Sequence, residues 1–151
     1  MADISLKIDS GDKEIELINE KRGLSVSVIV AVYDVFFLGS IMEAAEKLDA
    51  LQSDVEKLAP GENGSNEKFI EFFHKSREVD AEMRGVIDEL FGVAVCDALF
   101  PRQSMFAIGN GAPTWANILY SVIDQMDDGL EDEKKKAQTR IRKYSAKYKK
   151  K

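Results

Sequence analysis

The stretch that decides the fold is residues 67–92, EKFIEFFHKSREVDAEMRGVIDELFG. Its large apolar residues recur every three or four positions, which places them on one face of an α-helix. Asn66 is the predicted N-cap, and Gly92 suits the left-handed position that ends a helix. The stripe consists of Phe69, Phe72, Phe73, Val79, Met83, Val86, Ile87 and Leu90. This pattern predicts a long amphipathic helix.

The first turns of this helix carry more apolar side chains than one face can hold. Residues 69, 70, 72 and 73 are Phe, Ile, Phe and Phe, and at about 100° per residue they cannot all point the same way. Either two elements sandwich this turn or part of it is exposed. Burial under strands is the ordinary outcome, whereas an exposed apolar patch usually marks a partner site.

Alternating segments precede an earlier helix. Residues 3–9, DISLKID, and 13–18, KEIELI, alternate apolar and polar side chains, which predicts a β-hairpin. Residues 24–33 keep a period of two in β-branched valines, which favours a third strand, with a helix as the alternative. Asp34 is then the predicted N-cap of a helix that runs to Pro60.

Three further elements follow the long helix. VAVCDALF predicts a short helix that stops at Pro101, and IGNGAP predicts a turn before a helix from about Pro113 to Met126. From Leu130 onward the apolar spacing is weak and the surroundings are charged.

The predicted fold class is α+β, mostly α. A small N-terminal antiparallel hairpin or three-stranded sheet is followed by a bundle of about four helices and a basic C-terminal tail. We expect one globular domain over residues 1–130, with strands in 3–33 and helices in 34–130. A charged helix or tail over 131–151 completes the chain.

The charge of −6 is unevenly distributed. Residues 134–151 carry ten bases and no acid, and residues 124–133 carry six acids and no base. Residues 1–133 hold 11 bases and 27 acids, a net charge of −16, which would repel a polyanion. The basic tail can instead contact the acidic stretch of its own chain or of a neighbouring subunit, through weak and exchangeable ion pairs. A nucleic-acid-binding or regulatory protein, with Tyr144 and Tyr148 as stacking groups, is the alternative.

The sequence lacks the residues that most catalytic and metal sites need. His74 and Cys96 are the only histidine and the only cysteine, which excludes a site built from several such ligands. His74 is predicted to be a surface residue near Glu71 and Glu78, and Cys96 a buried small hydrophobe in a reducing, intracellular protein. The acids around Asp124 and Asp128 do not follow the spacing of a calcium loop. We therefore expect no enzyme, no cofactor and no bound metal.

The N-terminal and most apolar segments indicate a soluble protein. MADISLKIDS has neither the basic nor the apolar region of a signal peptide. The run LSVSVIVAVYDVFFLG contains Asp34 and is shorter than the roughly 20 residues of a membrane span. No membrane association is expected.

The later elements resemble a known family in their order and motifs. EVDAEMRGVIDELFG, VCDALFP, SMFAIGNGAPTWANILYSVID and the ending RIRKYSAKYKKK resemble the tail assembly chaperones of long-tailed phages and prophages of Gram-positive bacteria. VAVYDVFFLGSIMEAAEKL, where a strand meets an acidic cap before a helix, agrees with the same family. The resemblance covers nearly the whole chain.

This resemblance implies a role in virion assembly. Such a chaperone holds the hydrophobic tape measure protein soluble in the host cytoplasm while tail tube subunits polymerise around it. A longer form made by programmed frameshifting recruits tail tube protein, and adenine-rich Lys codons under KYKKK could be the slippery site. Self-association through the same apolar surface is also expected. The implied contact residues are Phe69, Phe72, Phe73, Met83 and Phe106, with MFAIGNGAP as an adaptable loop.

Overall fold

A computed structural model describes residues 2–148, without the side chains of Asp128 and Tyr148. The predictions for Asp128 in the acidic cluster, for Tyr148 as a stacking group and for the Lys run 149–151 lie outside the described residues. The described chain is mostly helical, with a small antiparallel sheet near the N-terminus followed by four helices. This confirms the predicted α+β class.

The sheet is a two-stranded hairpin of β1, Lys13–Asn19, and β2, Leu24–Val30. The strands pair antiparallel from Lys13 opposite Val30 to Asn19 opposite Leu24. A short 3₁₀ turn joins them and closes at Gly23, whose φ of 66° favours a residue without Cβ. Val28 and Val30 point into the core, so the valine period did predict a strand with one buried face.

The predicted strand over residues 3–9 is wrong. Ile4, Leu6 and Ile8 are between 76% and 89% exposed, and the described structure pairs no strand with this segment. At its end the Gly11 amide donates to Asp9 Oδ1 at 2.8 Å, which makes a local turn instead of a hairpin. Alternation alone does not make a strand, because it sets which side chains share a face and not whether the backbone pairs with a neighbouring strand.

Two long helices follow: α1, Val35–Glu56, and α2, Asn66–Phe91. Asp34 caps α1 as predicted, since its Oδ1 accepts from the Phe36 amide at 3.1 Å. The cap of α2 is Ser65 and not Asn66, because Ser65 Oγ accepts from the Lys68 amide at 3.2 Å. Gly92 ends α2 at φ 73°, as its position after the apolar stripe predicted.

The remaining elements are α3, Val95–Leu99, a miniature hairpin and a long final helix. The hairpin pairs β3, Ile108–Gly109, with β4, Ala112–Pro113, through Asn110 and Gly111 at φ 53° and 76°. Positive φ at both turn residues is what a two-residue hairpin requires. The final helix α4 spans Thr114–Tyr148 and extends well beyond the predicted end at Met126.

The chain divides into two compact units, Met1–Leu119 and Tyr120–Lys151, whereas the predicted C-terminal segment starts at residue 131. The first unit contains the hairpins, α1 to α3 and the start of α4. Its largest fully buried side chains are Ile41, Leu48, Met83, Ile87, Met105, Leu119, Val28, Val32 and Val95, together with Cys96. Burial, aided by the Asp88 carboxylate, raises the pKa of the Cys96 thiol, so this cysteine behaves as the small hydrophobe that was predicted.

Candidate partner-binding groove

The N-terminal half of α2 exposes its phenylalanines. Phe69 is 56% exposed and Phe73 48%, while Phe72 is half-buried. Ile70, on another side of the helix, is 53% exposed. The expectation that strands bury this turn is therefore wrong, and the alternative of an exposed apolar surface is the one that the structure has.

These phenylalanines lie beside an open groove of about 830 Å³ in the first unit. One side is α2, a second is the last turns of α1, and the third is the segment between α3 and β3. The apolar lining is Phe69, Phe72, Phe73, Phe106, Val55, Ala59, Ala81, Pro101 and Ile108. The polar lining is Gln52, Glu56, Ser76, Arg77, Asp80, Arg84, Arg102, Gln103 and Ser104.

A partly buried ion pair on α2, between Asp80 and Arg84, fastens the third side of the groove. Arg84 Nε donates to Asp80 Oδ2 at 2.8 Å, one helical turn away. Its Nη2 donates to the carbonyl oxygens of Phe100, at 2.8 Å, and Gln103. Asp80 Oδ1 accepts from the Met105 amide at 2.7 Å. Two side chains of α2 thus hold the backbone of residues 100–105 at three points.

The Asp80 carboxylate also stabilises the charged form of Arg84. Burial lowers the pKa of the Arg84 guanidinium, but the hydrogen bond to Asp80 and the charge of that carboxylate outweigh burial and raise the pKa above its ordinary value. Arg84 Nη1 also donates to Asp97 Oδ1 at 2.9 Å, which ties the start of α3 to α2. Arg84 is therefore permanently charged, and each of its three guanidinium nitrogens donates at least one hydrogen bond.

On the α1 side, Gln52 has both ends of its amide occupied. Its Oε1 accepts from Trp115 Nε1 at 2.6 Å, and its Nε2 donates to Glu56 Oε1 at 2.9 Å. In the part of the chain that the structure describes, no buried side-chain nitrogen or oxygen lacks a hydrogen-bond partner. What the groove offers to a partner is mainly its apolar surface.

Four of the five residues implied by the family resemblance line the groove. Phe69, Phe72 and Phe73 come from α2 and Phe106 from the segment before β3, so the fold brings together residues more than 30 positions apart. Met83 is 0% exposed and lies in the core, where it has no surface to offer a partner. The MFAIGNGAP loop is an ordered hairpin, held by a hydrogen bond of 2.8 Å from the Thr114 amide to the Ala107 carbonyl.

The polar residues that shape this groove were not among the contact residues predicted from the sequence. The spacing of Asp80 and Arg84, four residues apart on a predicted helix, was a visible sign of a pair on one face. Arg77 lies over the Phe73 ring, 5.9 Å from its centroid, at the same spacing. The contact of Gln52 with Trp115 joins residues 63 positions apart and has no local pattern that could reveal it.

A second, shallower depression on α2 contains the only histidine. His74 lies there with Leu58, Ile70, Glu71, Lys75 and Glu78, as the prediction of a surface histidine near carboxylates required. Among the described residues, no three His, Cys, Asp or Glu side chains come together as a metal site would need. Within residues 2–148, no helix combines the length and apolar character that a membrane span requires.

No protein-family model, curated protein or solved structure matches this chain. A function has to be inferred from the groove, from the distribution of charge and from the resemblance carried by the sequence motifs.

Proposed function

We propose that the protein is a non-catalytic tail assembly chaperone of a phage or prophage, which binds an apolar segment of the tape measure protein in the host cytoplasm. The observation that carries the proposal is the exposure of Phe69 and Phe73 beside a groove whose buried polar atoms, among the described residues, all have hydrogen-bond partners in the chain. An apolar segment, such as one face of an amphipathic helix, can cover these rings without burying a polar group that lacks a hydrogen-bond partner.

The expected affinity suits a transient complex. Covering the exposed half of two phenylalanine side chains removes on the order of 200 Å² of apolar surface from water, worth roughly 5 kcal/mol. Association costs of about 4 kcal/mol or more act against that gain. Binding through this groove is therefore weak and reversible, as release of the tape measure protein during tube polymerisation demands.

The charge of the chain supports the same role. Residues 1–133 carry 11 bases and 27 acids, and a net charge far from zero keeps a protein and its complexes apart in solution. Arg77 and Arg102 are cations among the groove's lining residues. An apolar client held there would be carried on a strongly charged body, which favours a soluble complex.

Coexpression with the tape measure protein tests the proposal. We expect the wild-type chain to keep the tape measure protein in the soluble fraction, and Phe69→Ser/Phe73→Ser to leave it in the pellet. Phe36→Ser is the matched control, because Phe36 is 81% exposed and lies outside the groove. A tape measure protein that stays equally insoluble with and without the wild-type chain would refute the proposal.

The encoding of the C-terminus provides a second test. We propose that a longer frameshifted form recruits tail tube protein, and that the gene lies just upstream of the tape measure gene. Synonymous replacement of the Lys codons should then abolish a longer product detected by an antibody against the N-terminal unit. A single product before and after replacement would argue against the frameshift.

A further inference from the structure

Both charge blocks of the C-terminal region lie on one continuous helix. α4 runs unbroken from Thr114 to Tyr148. Within it, residues 124–133 carry six acids and no base, and residues 134–147 carry seven bases and no acid. We call residues 124–147 the charged segment. At 1.5 Å per residue it is about 36 Å long, with its acidic and basic halves end to end.

A straight helix cannot fold back on itself, so the two halves of one copy meet only at their junction. There, Lys134 pairs with Glu131 at 3.9 Å and Lys136 with Glu133 at 3.7 Å. Acids and bases farther from the junction are separated along the helix axis and cannot reach one another. Within residues 124–147, the expected contact between the tail and the acidic stretch of the same chain is therefore confined to this one turn.

The charged segment also carries an apolar seam. Leu130, Ala137, Ile141 and Tyr144 follow one another at steps of seven, four and three, the spacing of a coiled-coil interface. Ile141 is 64% exposed and Tyr144 46%, with the Arg140 guanidinium 5.8 Å from the Tyr144 ring centroid. The seam continues across the junction between the two halves.

We propose that the charged segment pairs antiparallel with the charged segment of a second copy of this chain. Antiparallel pairing sets each acidic half against a basic half, whereas parallel pairing would set like charges side by side. With the two-fold axis between residues 135 and 136, Leu130 meets Ile141 of the partner subunit. Glu133 then lies beside Arg140 of the partner subunit, and symmetry repeats both contacts.

A second copy fits this segment better than a nucleic acid does. A polyanion would match the basic half only, and the acids next to the junction lie within about one screening length of the nearest lysines, where they oppose binding. The helix of another copy matches the charge of both halves and pairs Leu130 with Ile141 of the partner subunit.

Charge reversal of each half separately is the test, using the full chain and light scattering over a range of concentrations. Glu131→Lys/Glu133→Lys and Arg140→Glu/Lys143→Glu should each weaken dimerisation at least about tenfold, and added salt should weaken the wild-type dimer. An equimolar mixture of the two variants should dimerise again, because each supplies the charge that the other lost. Glu43→Lys/Glu46→Lys, exposed acids of α1 with the same change in net charge as the first variant, should dimerise like the wild type.

Orientation is tested by a nitroxide label on Ala146→Cys, since the native Cys96 is buried and not labelled. Antiparallel pairing separates the two labelled backbone positions by about 30 Å, whereas parallel pairing brings them to about 10 Å. A monomeric wild-type chain, a dimer unaffected by both reversals, or the short distance would overturn the proposal. Binding of a DNA or RNA oligonucleotide to monomers through the basic half, with no recovery in the mixture, would overturn it in favour of nucleic acid.

Discussion

The two halves of α2 carry similar apolar side chains but differ in burial. Residues 79–91 bury Val79, Met83, Ile87 and Phe91 at steps of four, and none of these is more than 5% exposed. Residues 66–78 leave Phe69, Ile70 and Phe73 about half exposed. The difference does not follow from composition, because the exposed half has the larger aromatic content.

The neighbours of each half explain the difference. Asp88 accepts from the Cys96 amide at 3.1 Å, and Arg84 contacts Asp97, so α3 lies against the second half of the helix. The first half faces the end of α1 across the groove, and its Phe69 and Phe73 side chains stay about half exposed. Because an α-helix is stiff, the buried half anchors the exposed half and holds its rings in place beside the groove.

The largest effect is expected in the buried half. Phe91 is 5% exposed and its ring centroid lies 6.4 Å from that of Phe37 in an edge-to-face contact. Phe91→Ala should lower the free energy of unfolding by about 3–5 kcal/mol, since it leaves a cavity among residues that cannot close over it. Urea unfolding followed by circular dichroism measures the change. A loss below about 1 kcal/mol would show that this end of α2 is not part of the core.

The second largest effect is expected at Arg84, which fastens residues 100–105 to α2. Arg84→Met removes the donors to the Phe100 and Gln103 carbonyls and leaves the Asp80 carboxylate without its cation. We expect a loss of about 2–3 kcal/mol in the free energy of unfolding and faster amide exchange at residues 100–106. Arg102→Met, an exposed change on the same side of the groove, is the control. Equal exchange rates in both variants would contradict the role assigned to Arg84.

The N-cap of the exposed half, Ser65, should contribute less to the free energy of unfolding than Arg84 does. Ser65→Ala removes the acceptor of the Lys68 amide at the first turn of α2, at an expected cost of about 1 kcal/mol. Amide exchange should rise at residues 66–69 and stay unchanged at residues 83–91. Ser53→Ala, at an exposed position inside α1, should cost nothing measurable. Similar losses for the two variants would mean that Ser65 contributes no cap.

Local chemistry made much of the fold predictable. The Asp34 cap, the end of α2 at Gly92 and the valine period of β2 each depend on a few neighbouring residues, and all three are confirmed. Residues 3–9 have the same alternation as β1 and form no strand, because pairing depends on an edge elsewhere in the chain.

The aromatic residues of the candidate site could be predicted from the sequence, but the contacts that hold the sides of the groove together could not. Phe69, Phe72 and Phe73 stood out because they overfill one helical face, whereas their exposure depends on which elements pack nearby. Arg84 donates to the backbone carbonyls of residues 100 and 103. Every residue has a backbone carbonyl, so the residue types at these positions do not indicate the contacts. Met83 shares the helical period of the phenylalanines, and only its place in the buried half separates it from them.

The smallest effect on stability, and a large one on binding, is expected at Phe73. Phe73→Ala loses a half-exposed ring and its contact with Arg77, but alanine regains about 0.5 kcal/mol in helix propensity. The free energy of unfolding should therefore change by about 0.5 kcal/mol or less, against several kcal/mol for the same substitution at Phe91. In the coexpression assay, however, Phe73→Ala should leave more of the tape measure protein insoluble than Phe36→Ala does. If Phe73→Ala destabilised the chain as much as Phe91→Ala, the ring would belong to the core, and the two halves of α2 would not differ in the way that the groove requires.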